Sequence, residues 1–84
     1  MDTFESELLA VIQEALMIGD VPGAFTAEAN LFETFGLDSV DALEIVMAIK
    51  RRYGVTFTPE DEKNKDIFTS LRSLATYVRS RAPA

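Results

Sequence analysis

Three stretches of this 84-residue chain set apolar side chains at helical spacing, and none alternates apolar and polar residues at the period of a strand. The first carries Phe4, Leu8, Val11, Ile12, Ala15 and Leu16, the second runs from Val40 to Ile49, and the third carries Leu71, Leu74, Ala75 and Val78. Helices with one apolar stripe must bury those stripes against each other. The expected fold is therefore all-α, a four-helix bundle of three principal helices, a short third helix and a long first loop. So short a chain has room for one domain, residues 1–84, with an ordered core over about 3–80.

Caps and breakers set the expected boundaries. Asp2 with Glu5 three residues on is a capping-box pattern and Gly19 is a stop, which predicts a helix over 3–18. The connection from Gly19 to Asp38 holds Pro22, Gly23 and Gly36, with one helical turn expected where Asn30 can cap and Glu33 can reach back. Its Phe25, Leu31, Phe32, Phe35 and Leu37 are too many for a solvated loop, so the loop is expected to lie across the bundle and close one end of the core. The next principal helix should run from Ser39 to Tyr53, stopped by Gly54. Thr58-Pro59-Glu60-Asp61 sets a cap and a proline at the first helical position, predicting a short helix through Lys65. The last helix begins near Thr69 or Ser70 and ends around Ser80, with Arg79 and Arg81 at its negative end.

Composition narrows the chemistry. The chain has no His and no Cys, which removes the imidazole base, the thiolate nucleophile, disulfides and the commonest metal ligands. No catalytic residue and no metal site is expected. A formal net charge of -6 disfavours nucleic acid and favours proteins with basic patches. Met1-Asp2-Thr3-Phe4-Glu5 lacks the basic and apolar regions of a signal peptide, and no apolar run is long enough to span a bilayer, so a cytoplasmic setting is expected; a monomer is expected as well.

Ser39 is the best-placed hydroxyl. It stands in Phe35-Gly36-Leu37-Asp38-Ser39-Val40-Asp41, where a glycine-punctuated loop meets the longest apolar-periodic segment. An Asp-Ser pair in that position ordinarily caps a helix, and Asp41 and Glu44 ordinarily read as solvated charges near its positive end. At about 100° per residue, Ala42, Val46, Ile49 and Tyr53 fall at the centre of one face with Leu43 beside them, which is the expected core face. Asp41, Glu44, Ala48, Arg51 and Arg52 fall opposite. Val40 and Met47 form a second apolar strip beside Glu44, and Ile45 lies on the other margin. That is more apolar surface than one core contact requires, so the spare strip either packs under a loop or meets a partner.

Asp38-Ser39-Val40, preceded by Gly36-Leu37 and followed by Asp41, Glu44, Val46 and Met47, resembles the attachment motif of acyl carrier proteins, in which the pattern is usually Asp-Ser-Leu. The similarity extends over most of the chain, through the Leu43-to-Ala48 run, the short helix after Pro59 and the final amphipathic helix. The resemblance implies that Ser39 carries 4'-phosphopantetheine from coenzyme A, with Asp38 helping to present it to a phosphopantetheinyl transferase. It also implies that acyl intermediates of fatty-acid, lipid or related biosynthesis ride as thioesters on the group, with no catalysis by the chain itself. Acyl-loading, synthase and acyl-transfer enzymes would dock through basic patches onto Asp38, Val40, Asp41, Glu44 and Met47. The cargo would withdraw among Val46, Ile49, Leu71 and the loop phenylalanines. Lys50-Arg51-Arg52 departs from the acidic run usual in fatty-acid carriers, although cations there also suit the negative end of a helix. A discrete aminoacyl or polyketide carrier and an unmodified helical interaction domain are the alternatives.

Overall fold

The computed structural model describes residues 1–58 and 63–82. Among them the order is α1 (Thr3–Leu16), α2 (Leu31–Phe35), α3 (Ser39–Tyr53), α4 (Asn64–Ile67) and α5 (Leu71–Arg81). α1, α3 and α5 are the three principal helices, and α2 and α4 are single turns. α1 packs on both α3 and α5. Leu8 and Ile12 of α1, Leu31 of α2, Ile45 and Ile49 of α3, and Leu71, Leu74 and Val78 of α5 are fully buried. Each such side chain contributes about 1.5–3 kcal/mol of transfer free energy.

The first helix is shorter than the 3–18 expected. It starts as the capping pattern requires, since the Asp2 carboxylate accepts from the Glu5 N–H at 2.8 Å and the Glu5 carboxylate accepts from the Asp2 N–H at 2.8 Å. Its stop is Met17, not Gly19. Met17 takes a left-handed conformation with φ 55°, and the Ile18 N–H turns back to the Gln13 carbonyl at 2.9 Å. Side-chain amide donation from Gln13 to the Gly19 carbonyl, at 2.9 Å, then holds the chain in its new direction. A non-glycine residue there costs roughly 1 kcal/mol, which the Schellman-type closure offsets.

The long connection crosses the bundle, as its aromatic content predicts. Asn30 caps α2 by accepting from the Glu33 N–H at 2.9 Å. Leu31 N–H donates to the Thr69 carbonyl at 2.9 Å and Arg72 N–H donates to the Ala27 carbonyl at 2.8 Å, so backbone bonds staple the loop to the start of α5. Phe25 and Phe35 of the same connection pack against each other with tilted rings, centroids 5.3 Å apart. Ser70 is the α5 cap, sharing a reciprocal box with Ser73, and the helix runs one residue past the expected Ser80.

Two further expectations change. Residues 59–62, where the short helix was expected to start, lie outside the described residues; the described turn, Asn64–Ile67, runs two residues beyond Lys65. α3 itself has the expected bounds, but its buried face is rotated: Ile45, Ala48 and Ile49 are buried while Leu43 is 58% exposed. Ala48 was expected on the solvated side and Leu43 near the core. The reason is that α1 is the chief neighbour of α3 and covers the Ile45–Ala48–Ile49 side.

Charged contacts join the outer ends of the helices. Glu5 is buried and receives the Arg72 guanidinium at 3.2 Å, while Arg72 also reaches Glu28. Arg79 binds Asp2 at 2.8 Å and lies over the Phe4 ring. The Asp2 N–H, aided by Arg72, holds the Glu5 carboxyl below its ordinary 4.5 against the opposing cost of burial. The Glu5 N–H, followed by Arg79, does the same to Asp2. Depressed carboxylate pKa values stabilise the fold above the ordinary values, and that contribution is lost as pH falls through the folded ones. The urea midpoint should therefore fall as pH is lowered from about 5 towards about 3, and Glu5→Gln should flatten that slope. An unchanged slope in Glu5→Gln would mean that the cap is not the titrating element.

Candidate functional site

The loop before α3 is short because α2 closes abruptly. Gly36, at φ 64°, and Leu37 both turn their N–H groups to the Phe32 carbonyl, and Leu37 packs its side chain against the core. The chain then extends at Asp38, whose carboxylate accepts from the Asp41 N–H at 3.0 Å while the Asp41 carboxylate accepts from the Asp38 N–H at 3.1 Å. Two aspartates thus complete a reciprocal cap. Ser39 is the first residue inside the helix and is exposed. Its hydroxyl takes no part in the cap, and among the described residues it accepts and donates no hydrogen bond.

Beside Ser39 opens a depression of about 520 Å³, lined by Phe32, Asp38, Ser39, Ala42, Leu43, Val46, Phe57, Asn64, Lys65 and Phe68. Its far wall is aromatic. Phe68 meets Phe32 edge-on at 6.3 Å and Phe57 at 5.1 Å, and Phe57 stacks on Tyr77 at 4.9 Å. The Asn64 amide donates to the Thr58 carbonyl at 2.7 Å, tying α4 to the segment after α3. A smaller hollow of about 250 Å³ shares the Phe32, Lys65 and Phe68 walls and extends the depression towards Asn30 and Thr69.

The structure sorts the residues singled out in the sequence. Asp38, Ser39 and Val46 lie at the depression. Ile49 and Leu71 are sealed in the core and do not line it. Val40 and Met47 are 65% and 45% exposed, and Leu43, at 58%, completes an apolar stripe at i, i+3 and i+7. Glu44 is exposed beside that stripe, and Asp41 is half-buried with its carboxylate committed to the cap. The sequence reading missed Leu43, Phe57 and Phe68. The spacing of Leu43 from Val40 and Met47 was a usable signal, whereas nothing local connects Phe57 and Phe68 to Ser39.

The family model described as the phosphopantetheine attachment site matches residues 6–78. The chain is 32% identical over 80 residues to an acyl carrier protein of Campylobacter hominis, covering 95% of this chain and 94% of that protein. It is 40% identical over 57 residues to the anthracycline acyl carrier proteins DauA of Streptomyces sp. strain C5 and DpsG of Streptomyces peucetius, covering 68% of this chain and 67% of each. The chain belongs to the acyl carrier protein family. Membership brings a covalently attached 4'-phosphopantetheine and a carrier's role in place of catalysis.

The residues present fit such a group. A hydroxyl spared by the cap stands at a helix start, where a phosphate is favoured by the positive end of the dipole and by backbone N–H groups without intrahelical partners. Among the described residues no cluster of acidic, His or Cys side chains is placed to hold a metal ion, and no helix is long and apolar enough to cross a membrane.

Because Asp38 is the cap and Ser39 is not, their alanine variants should differ. Asp38→Ala is expected to cost about 0.5–2 kcal/mol in urea unfolding, and Ser39→Ala less than about 0.5 kcal/mol. Equal losses would place Ser39 in the cap.

Proposed function

We propose that Ser39 is the attachment point of the prosthetic group and that the chain is a free-standing carrier presenting acyl thioesters to separate enzymes. The observation that carries this reading is the exposed Ser39 hydroxyl, left outside the Asp38–Asp41 cap and set on the lip of an apolar depression. A phosphopantetheinyl transferase would supply the Mg²⁺ and the base. The Ser39 oxygen forms a new phosphodiester with the pantetheine-side phosphate of coenzyme A, the pyrophosphate bond breaks, the nucleotide bisphosphate leaves, and the hydroxyl proton passes to the transferase's base. Once bound, the group supplies a terminal thiol on which cargo is held as a thioester.

The chain's own residues do the presenting. Asp38 fixes the start of α3 and thereby the direction of the Ser39 side chain. Glu44, with the Asp38 and Asp41 carboxylates, marks a negative approach for a basic partner, and the exposed Val40–Leu43–Met47 stripe supplies the apolar contact. Such contacts suit brief, salt-sensitive docking by transferases, loading enzymes and synthases. The cargo would enter the depression between Val46, Ala42 and the Phe32, Phe57 and Phe68 rings.

A second reading concerns the cargo. Bulk fatty-acid or lipid synthesis is the first assignment, but the likeness to two anthracycline carriers and the basic Lys50-Arg51-Arg52 end of α3 favour a specialised polyketide pathway. The acyl mass found on the chain purified from its own cell distinguishes the two.

Incubation with coenzyme A and a phosphopantetheinyl transferase should add one phosphopantetheinyl group, and Ser39→Ala should add none. A gain that survives Ser39→Ala moves the attachment elsewhere. Glu44→Lys should slow modification by about tenfold with helicity retained, since an exposed charge contributes little to stability; unfolding of that variant would remove Glu44 from the docking face. Acylation of the modified chain should shift the Val46 methyl resonances more than those of Ile49 and Leu71. The reverse pattern would put the cargo inside the core.

A further inference from the structure

We infer that the groove along the seam of α1 and the C-terminal half of α3 is a second docking surface, which takes an acidic segment of a partner protein anchored by one apolar side chain. The groove is open to solvent, offers a volume of about 550 Å³ and is lined by Val11, Glu14, Ala15, Met17, Ala48, Arg51 and Arg52. None of these residues lines the depression at Ser39. By helix rise, Ala48 to Arg52 lie roughly 14 to 20 Å along α3 from Ser39. The inference does not depend on where the prosthetic group is attached.

Three observations meet here. Small side chains, Ala15 and Ala48, leave the hollow between two helices that pack tightly elsewhere. Met17 stands at its end, 90% exposed and held in a left-handed conformation rare for a residue with a side chain. Exposed, unbranched and polarisable, it is the kind of side chain that adapts to an apolar partner. The third is charge: in a chain of net charge -6, Lys50, Arg51 and Arg52 make three of eight Lys and Arg residues. Arg52 is committed to Glu7 at 2.8 Å, whereas Arg51, which lines the groove, has no carboxylate partner among the described residues. A favourable helix dipole accounts for cations at this end of α3, but not for the hollow or for Met17.

Glu14 on the opposite wall sets the polarity of the occupant. Its carboxylate would meet Arg51, and its apolar side chain would fill the space between Val11, Ala15, Ala48 and Met17. Together with the acidic approach to Ser39, this gives the molecule two faces of opposite preference. A partner held at the seam could keep the carrier close while the Ser39 face stays free for others, raising the local concentration without new contacts at the site.

The test titrates isotope-labelled full-length protein with a synthetic helical peptide of Glu and Leu, and with its Lys and Leu counterpart. The acidic peptide is expected to shift the Val11, Ala15, Met17 and Ala48 methyls and the Arg51 side chain. Arg51→Glu, checked for fold by circular dichroism, should weaken it about tenfold, and Glu14→Gln should strengthen it. Met17→Gly separates docking from structure: relief of the backbone strain should raise the melting temperature while the peptide binds less tightly. The inference is overturned by absent shifts, by an equal response to the basic peptide, or by affinity indifferent to Arg51. Shifts at the same methyls on concentrating the protein alone would assign the groove to a second copy and overturn the partner reading.

Discussion

Where α3 starts decides what Ser39 can do, and the Asp38–Asp41 cap decides where α3 starts. Each aspartate accepts the backbone N–H of the other, so the first turn satisfies two donors without using the intervening hydroxyl. A serine at the cap itself would have to spend its oxygen on the backbone. One position further on, it is inside the helix, exposed and uncommitted. The same cap orients the positive helix end towards any phosphate attached there, so local hydrogen bonding, electrostatics and function share one origin.

That cap rests in turn on the α1–α3–α5 core. Ile45 and Ile49 anchor α3 against α1, while the loop ahead of α3 is pinned to α5 by backbone bonds from Leu31 and Arg72. On the opposite flank of α3, no α1 or α5 residue lines the depression among the described residues. Ala42, Leu43 and Val46 face that depression, walled across from them by the Phe32, Phe57 and Phe68 rings together with Asn64 and Lys65. A domain this small cannot bury every apolar residue, and the surplus on α3 becomes its working surface.

Charge is distributed along α3 with the same economy. The acids lie in the first two turns and the cations in the last, each at the helix end that favours them. Stability and recognition therefore do not compete. Arg52 ties the C-terminal end of α3 to Glu7 of α1, and Tyr53 donates its hydroxyl to the same carboxylate at 3.1 Å. Burial, followed by that contact with Glu7, pushes the Tyr53 phenol up to about 12.

Much of this was legible from local pattern alone. The Asp2–Glu5 box, the Asn30 and Ser70 caps, and the span from Ser39 to Gly54 each depend on residues within four positions of one another, and short-range hydrogen bonding is written in short-range sequence. Ser39 and its acidic neighbours could be singled out for the same reason. The exact face that α3 buries could not, because Ala48 is covered and Leu43 is left bare by where α1 lies. Nor could the stop at Met17, where a backbone turn prevailed over the nearer-looking glycine signal. Sequence by itself determined a helical chain with a serine hydroxyl at a helix start; only the structure left that hydroxyl outside the cap and brought Phe57 and Phe68 to that helix from the far side, since contacts between distant segments follow from how whole helices pack and not from their spacing along the chain.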